Sequence, residues 1–395
     1  MKRGAIAGAV CLFAAGCGTQ TTSQPAGAQL GGVQIVAPAS AVAGVAFTAQ
    51  VTVVDKAGNV LPAYVGPVTL TSSDSKAVLP AQFAFSAQDK GMHSFTTVAL
   101  ATVGAQTLTA TEGTENLAAS APVAVGPAAA SKLQLTVAAQ VASGTAVTCS
   151  VTAFDAFGNL ATGYTGTVAL TSSDEAATLS GPHAFTAADA GKFSFECTFA
   201  TSGAQTLTAS DGTLSQTADV QVGPGAAARL ELSALPASVV AGDAQDLTVT
   251  AFDAAGNIAT GYTGDVQLTS SDATAQLAAA HPFDATDKGV HLFAGAVAFH
   301  KVGAQSVTAG DGTLSATAST QVSPGPAAAL TLTLPASANA GANLDAKVSA
   351  FDRFGNAATG YLGTVDFVSS DAQASLPSPV TFTAADAGAH VIAGG

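Results

Sequence analysis

The sequence predicts an all-β chain built as a row of similar small sandwiches, and three observations carry that prediction. One motif returns at domain-sized intervals, short runs alternate apolar and polar residues, and turn signals part those runs roughly every 8–12 residues. The motif reads Asp55-Lys56-Ala57-Gly58-Asn59, Asp155-Ala156-Phe157-Gly158-Asn159, Asp253-Ala254-Ala255-Gly256-Asn257 and Asp352-Arg353-Phe354-Gly355-Asn356, with the aspartates 100, 98 and 99 residues apart. Each block continues through Tyr64, Tyr164, Tyr262 or Tyr361 into a Ser-Ser-Asp ending at Asp74, Asp174, Asp272 or Asp371. A period of about 100 residues is too long for a solenoid unit and matches one small domain.

The second repeat shows the elements in order. Residues 133–137 alternate and open the unit, and 147–153 alternate again. Asp155 to Asn159 is turn chemistry, because Asp bonds backbone ahead of it and Gly accepts positive φ. Short runs at 168–171 and 184–186 follow, then an Ala-Asp-Ala-Gly turn ending at Gly191. A strongly alternating run at 193–199 comes next, and Asp211-Gly212 is a hairpin signal between 203–209 and 219–222. About seven short strands with no helical period is the pattern of an immunoglobulin-like β-sandwich. The expected repeats are 30–126, 127–224, 225–325 and an incomplete 326–395. In the fourth, Gly388 is followed by the short tail 389–395, about 30 residues less than the third repeat has after Gly289. A fragment of a longer protein is the favoured reading. An open terminal domain, or one completed by a partner's strand, stays open beside it. The junctions at 125–128, 222–225 and 322–325 are short and contain proline, so neighbouring sandwiches are expected to stack end to end as a rod on the order of 150 Å.

Composition narrows the function. With 12 Lys+Arg against 26 Asp+Glu the formal net charge is -14, which argues against nucleic acid and against docking on anionic lipid through a basic patch. The chain is 48% hydrophobic, yet beyond the N-terminus no apolar run approaches the ~20 residues of a membrane helix. Residues 1–16 read as a signal peptide, with Lys2 and Arg3 before an apolar stretch at 5–15. Its end, Phe13-Ala14-Ala15-Gly16-Cys17, is similar to a bacterial lipobox, which makes Cys17 the expected lipidation site; Ala14 stands where the usual leucine would be. An ordinary secretory signal cut nearby is the alternative. Residues 17–29, polar and small, read as a flexible tether.

Of four cysteines, Cys11 would leave with the signal and Cys17 would carry lipid. Cys149 and Cys197 remain. Each alternates with apolar neighbours and so lies on the core face of its strand, which fits a disulfide across the sandwich core or two buried thiols. The matching positions are Ala49, Leu247 and Ala346 for the first cysteine, and Thr97 and Gly295 for the second.

Candidate chemistry is sparse. His93, His291 and His390 share a position that Phe193 fills in the second repeat, and His183 and His281 share another with Phe83 and Val380. A residue that exchanges with Phe among sister repeats fills space, so no catalytic residue, cofactor or metal is expected. Aspartates 155, 174, 189 and 211 and their counterparts sit in turns. They are the candidates for calcium, but a dense Asp-x-Asp-x-Asp-Gly loop is absent. The chain has no Trp, and its four tyrosines hold one repeat position, which favours packing over sugar binding. His300 and Lys301 fall where the third repeat is longer than the second and read as loop variation.

The stretch 152–174, with Phe-Thr-Ala-Ala-Asp-Ala-Gly at 185–191 and Gly-Ala-Gln-Thr-Leu-Thr-Ala at 203–209, resembles the tandem bacterial Ig-like repeats of the invasin/intimin kind. The resemblance covers nearly everything after about residue 30. It implies the stalk of a surface protein or adhesin. The expected function is therefore a non-enzymatic, lipid-anchored envelope protein whose repeats space or display something at the cell surface. The expected partners are the membrane, through Cys17, and a protein or cell-surface ligand. An accessory array of an exported enzyme or adhesin with a functional domain beyond residue 395 is the alternative, and calcium-dependent adhesion is a third.

Overall fold

The computed structural model describes residues 29–394. The signal, Cys11, the lipidation site Cys17 and nearly all of the tether lie outside them. The described chain is all-β: tandem immunoglobulin-like sandwiches, with three-residue 3₁₀ turns at Ala87–Asp89, Ala187–Asp189 and Ala384–Asp386 as its helical pieces.

In the second repeat one sheet runs Thr178–Leu179, Lys192–Thr198, Ala146–Asp155, Ala130–Thr136. The facing sheet runs Gln140–Ala142, Ser215–Gly223, Gly203–Ser210, Thr167–Ser172, His183–Ala184. Nine strands stand where the sequence suggests about seven. The additions are the edge piece Thr178–Leu179 and Gln140–Ala142, which crosses to the second sheet and pairs parallel with Ser215–Gly223. Two- and three-residue pieces at sheet edges are too short to show alternation. The third repeat shares this plan, and so does the first except that its edge piece is reduced to a single Val78–Ala99 bridge.

Period-two alternation builds the core. Along Ala146–Asp155 every second side chain from Cys149 is buried, and Phe195, Phe199, Leu207, Val220 and Val222 close over them. Fully burying side chains of this size contributes about 1.5–3 kcal/mol each. The tyrosine adds a polar tie. Tyr164 packs edge-on against Phe185, and its hydroxyl donates to Asp211 at 2.5 Å. Tyr64 and Tyr262 donate likewise to Glu112 and Asp311. The ring lies over the glycine two residues on: a Cβ at Gly166 would sit 2.1 Å from the Tyr164 hydroxyl, which is why every repeat reads Tyr-x-Gly.

Two expectations need correction. Cys149 and Cys197 are disulfide-bonded, but not between sheets. Cys149 faces Phe195 and Val147 faces Cys197 on adjacent antiparallel strands, so the bridge is diagonal within one sheet. The extra residues of the third repeat lie in the strand Val290–Ala298, not at His300–Lys301. They form a bulge at Gly295, where φ is +58° and the register shifts between Gln245 and Leu247. A similar shift occurs between Phe47 and Ala49. Counted along the ladder, Val98 and Val297 therefore match Cys197, rather than Thr97 and Gly295, and both are fully buried as it is.

In the fourth repeat the described sheets are Ala329–Thr333, Ala346–Phe351, Ala389–Ile392 and the pair Thr364–Val365, Val380–Thr381. Phe382 stays buried, while Leu332, Leu334 and Val368 are exposed around a cavity of about 510 Å³.

Candidate functional site

The two recurring motifs meet at the junctions between repeats. Asp253 closes its own turn: Oδ1 accepts the Ala255 and Asn257 amides at 2.9 and 2.8 Å. Oδ2 accepts Asn257 Nδ2 and the amide of Gly225 in the linker, both at 2.8 Å. Gly256 completes the turn at φ +91°. The closed turn aims Asn257 at the preceding repeat. Its Nδ2 donates to the Ala200 carbonyl at 2.7 Å and to Ser143 Oγ at 3.0 Å, and its Oδ1 accepts the Ser202 amide at 2.9 Å.

The receiving loop is held by the preceding Ser-Ser-Asp. Asp174 Oδ2 accepts the amides of Ala200 and Thr201 at 2.7 and 3.0 Å. The chain of contacts is thus Ser-Ser-Asp, loop, Asn, Asp, linker. It repeats at the other junctions. Asn159 bonds Ala101 O and Val103 N, with Asp74 holding Ala101 and Thr102. Asn356 bonds His300 O, with Asp272 holding His300 and Lys301. Among the described residues, Asp55 in the first repeat bonds within its own turn, and its bond from Asn59 Nδ2 stretches to 3.4 Å.

These carboxylates stay ionised well into acid. Burial pushes Asp253 up, but hydrogen bonds from Asn257 and Gly225 outweigh it and hold the group at about 2. Asp74 and Asp272 are likewise brought to about 2 by hydrogen bonds that overcome burial, from Thr102 and Ala101 in one and from Thr274, Lys301 and His300 in the other. Their oxygens accept N–H and O–H donors, whose positive ends oppose a calcium ion that needs an oxygen shell.

An aromatic plug reinforces two of the three junctions. Phe157 lies over Gly44 so closely that a Cβ there would be 2.0 Å from the ring, and it packs on the small cluster of Ala43, Leu100, Val123 and Val125. Phe354 covers Gly242 in the same way and stacks on His300, centroids 4.1 Å apart. The middle junction has Ala255 at this position, and nothing lies within 4 Å of a Cβ built on Gly144. Sequence reading treated Phe157, Phe354, His300 and the motif asparagines as local turn or loop residues. The signal available was that Asn recurs at the end of all four turns although a turn does not require it there.

The histidine positions are stacking partners between strands of the two facing sheets. Phe83 lies on His93, His183 on Phe193 and His281 on His291, with centroids 3.4–3.5 Å apart. Asp189 caps its turn through the Thr186 amide at 2.6 Å, as do Asp89 and Asp386 in theirs. Concavities of about 660 and 650 Å³ recur beside Tyr164 and Tyr262, and each holds one ionisable side chain besides the tyrosine, Asp211 or Asp311, already bonded to it.

No family model and no curated protein matches the chain. Solved structures do. The chain is similar to the Escherichia coli adhesin FdeC at 19% identity, covering 74% of this chain and 96% of that one, with a TM-score of 0.40. Invasin, a bacterial integrin-binding protein, is 15% identical over 81% of this chain and 76% of its own, at 0.35. Domains 1–6 of the surface layer protein SbsC are 18% identical over 87% of this chain and 48% of that one, at 0.25.

Proposed function

We propose that the chain is a non-enzymatic stalk of the bacterial cell envelope, held to a membrane by lipid on Cys17, whose stacked sandwiches space or display a contact away from the surface. The observation that carries this reading is the junction: in three successive places a motif asparagine reaches two or more groups of the preceding repeat. Such side-chain bonds, with short linkers tied to Asp155, Asp253 and Asp352, oppose bending. The repeated residues are thus accounted for by joining domains rather than by any reaction.

Small-angle scattering of the exported chain tests the stalk. A rod on the order of 150 Å has a radius of gyration of about 43 Å, whereas a globule of this length has about 21 Å. A value near the lower figure rejects the proposal. Mass spectrometry of the membrane fraction tests the anchor: the expected N-terminus is a diacylglyceryl Cys17, and an unmodified N-terminus elsewhere removes it.

A further inference from the structure

The third repeat differs from its sisters at the stacked pair. Its two positions are both histidine, whereas the first has Phe83 and His93, the second His183 and Phe193, and the fourth Val380 and His390. The turn aspartate is present in all four, as Asp89, Asp189, Asp287 and Asp386. In the third repeat alone, three ligand-type side chains therefore converge. His281 Nε2 lies 3.0 Å from Asp287 Oδ2 and 3.2 Å from Oδ1, and His291 Nδ1 lies 3.1 Å from Oδ1. The three ligating atoms are all within 4.8 Å of one another.

We propose that His281, Asp287 and His291 form a site for one divalent transition-metal ion of the zinc type on the side of the third repeat. Ligands at zinc-type distances of 2.0–2.2 Å in a tetrahedron stand about 3.3 Å apart, so the His–Asp spacings already suit a shared ion. The rings lie 11° from parallel. They must fan apart for both in-plane lone pairs to meet one ion, and side-chain exposures of 30% and 26% leave room for that. Asp287 is also fixed in place by the Asp284 amide, which donates to its Oδ2 at 2.8 Å. The neighbouring Asp284 carboxylate is engaged by Thr286 and does not compete. Metal entry replaces the ring-nitrogen contacts to Asp287 by N–metal bonds, with each neutral ring carrying its one proton on the opposite nitrogen.

Sister repeats supply the controls. Untagged full chain is titrated with zinc chloride by calorimetry, beside His281→Phe, His291→Phe and His93→Phe. The first two place at each position the residue that the first and second repeats carry there, so the sandwich is expected to stand. The expected result is one equivalent of zinc lost in His281→Phe and His291→Phe and unchanged uptake in His93→Phe. Phe193→His, which joins His183 and Asp189, is expected to add an equivalent. Equal uptake by wild type and His281→Phe overturns the proposal. So does an equal loss in His93→Phe, which would mean that any exposed histidine suffices. If a His→Phe variant melts early, Phe193→His decides, since failure to add zinc to a folded chain also overturns it.

Discussion

Replacing Asn257 by Ala should loosen the joint between the second and third repeats without unfolding either. The side chain makes three bonds across the joint, to Ala200 O, Ser143 Oγ and Ser202 N, and one within its own turn to Asp253. Each is worth about 0.5–1.5 kcal/mol net. The Ser202 amide is exposed and water replaces its partner, so the joint loses about 2–3 kcal/mol in total, or about 30- to 150-fold in the population of the closed arrangement. No ring backs this junction, because Ala255 occupies the plug position. Nitroxides at the exposed Gln216 and Gln267 report the change by pulsed electron resonance as a broadened distance distribution. Asn257→Asp should broaden it at least as much, since Nδ2 donates three bonds and a carboxylate oxygen there would face Asp253 and the Ala200 carbonyl. Distributions as narrow as wild type in both variants would refute the clamp.

Two further outcomes follow from the same residues. Cys149→Ala opens a crosslink spanning 48 residues, which chain entropy values at about 4 kcal/mol; calorimetry should show the second repeat's transition fall while the others hold, since the first and fourth repeats already carry Ala there. Acid should act on the junctions through Asp74, Asp253 and Asp272. Their folded pKa values, about 2, lie below the ordinary 3.8, so their stabilisation is full above about pH 4 and is lost as pH falls toward 2. Each gives at most about 2 kcal/mol, and a melting temperature flat between pH 5 and pH 2 would contradict the assignment.

The sandwich could be read from the chain because its evidence is local: alternation, turn residues and the Asp211-Gly212 hairpin each occupy a few consecutive positions. What escaped reading depends on partners far along the chain. Whether Cys197 lies opposite Val147 or across the core is a matter of sheet order, which alternation does not specify. The bulge at Gly295 hid from a count of residues because an insertion can be absorbed anywhere between two fixed turns. The junction escaped for the same reason. Asn257 bonds residues 57 and 114 positions away, and neither Ala200 nor Ser143 carries a motif of its own. The internal repetition nonetheless marked the right residues, since Asp and Gly serve the turn, whereas Asn keeps donor and acceptor capacity beyond its one bond to the turn aspartate.

The plug position makes stiffness a property that differs from joint to joint. Phe157 and Phe354 cover Gly44 and Gly242, and both glycines have φ near +73° to +89°, so the backbone itself leaves the bare surface against which the tip of a ring packs. Gly144 offers the same conformation, φ +74°, with nothing above it. The middle joint therefore has Asn257 and the Asp253–Gly225 tie with no ring behind them. Ala255→Phe supplies the missing ring over an open seat. Burying part of an aromatic side chain there should contribute about 1 kcal/mol and narrow the distance distribution between the second and third repeats. In the Asn257→Ala background the ring should recover part of the lost order, because the two contacts lie on different groups of the preceding repeat. A distribution in Ala255→Phe that matches wild type would mean that the asparagine clamp already limits this joint as fully as its plugged neighbours, and that the rings at 157 and 354 serve packing within the junction rather than its stiffness.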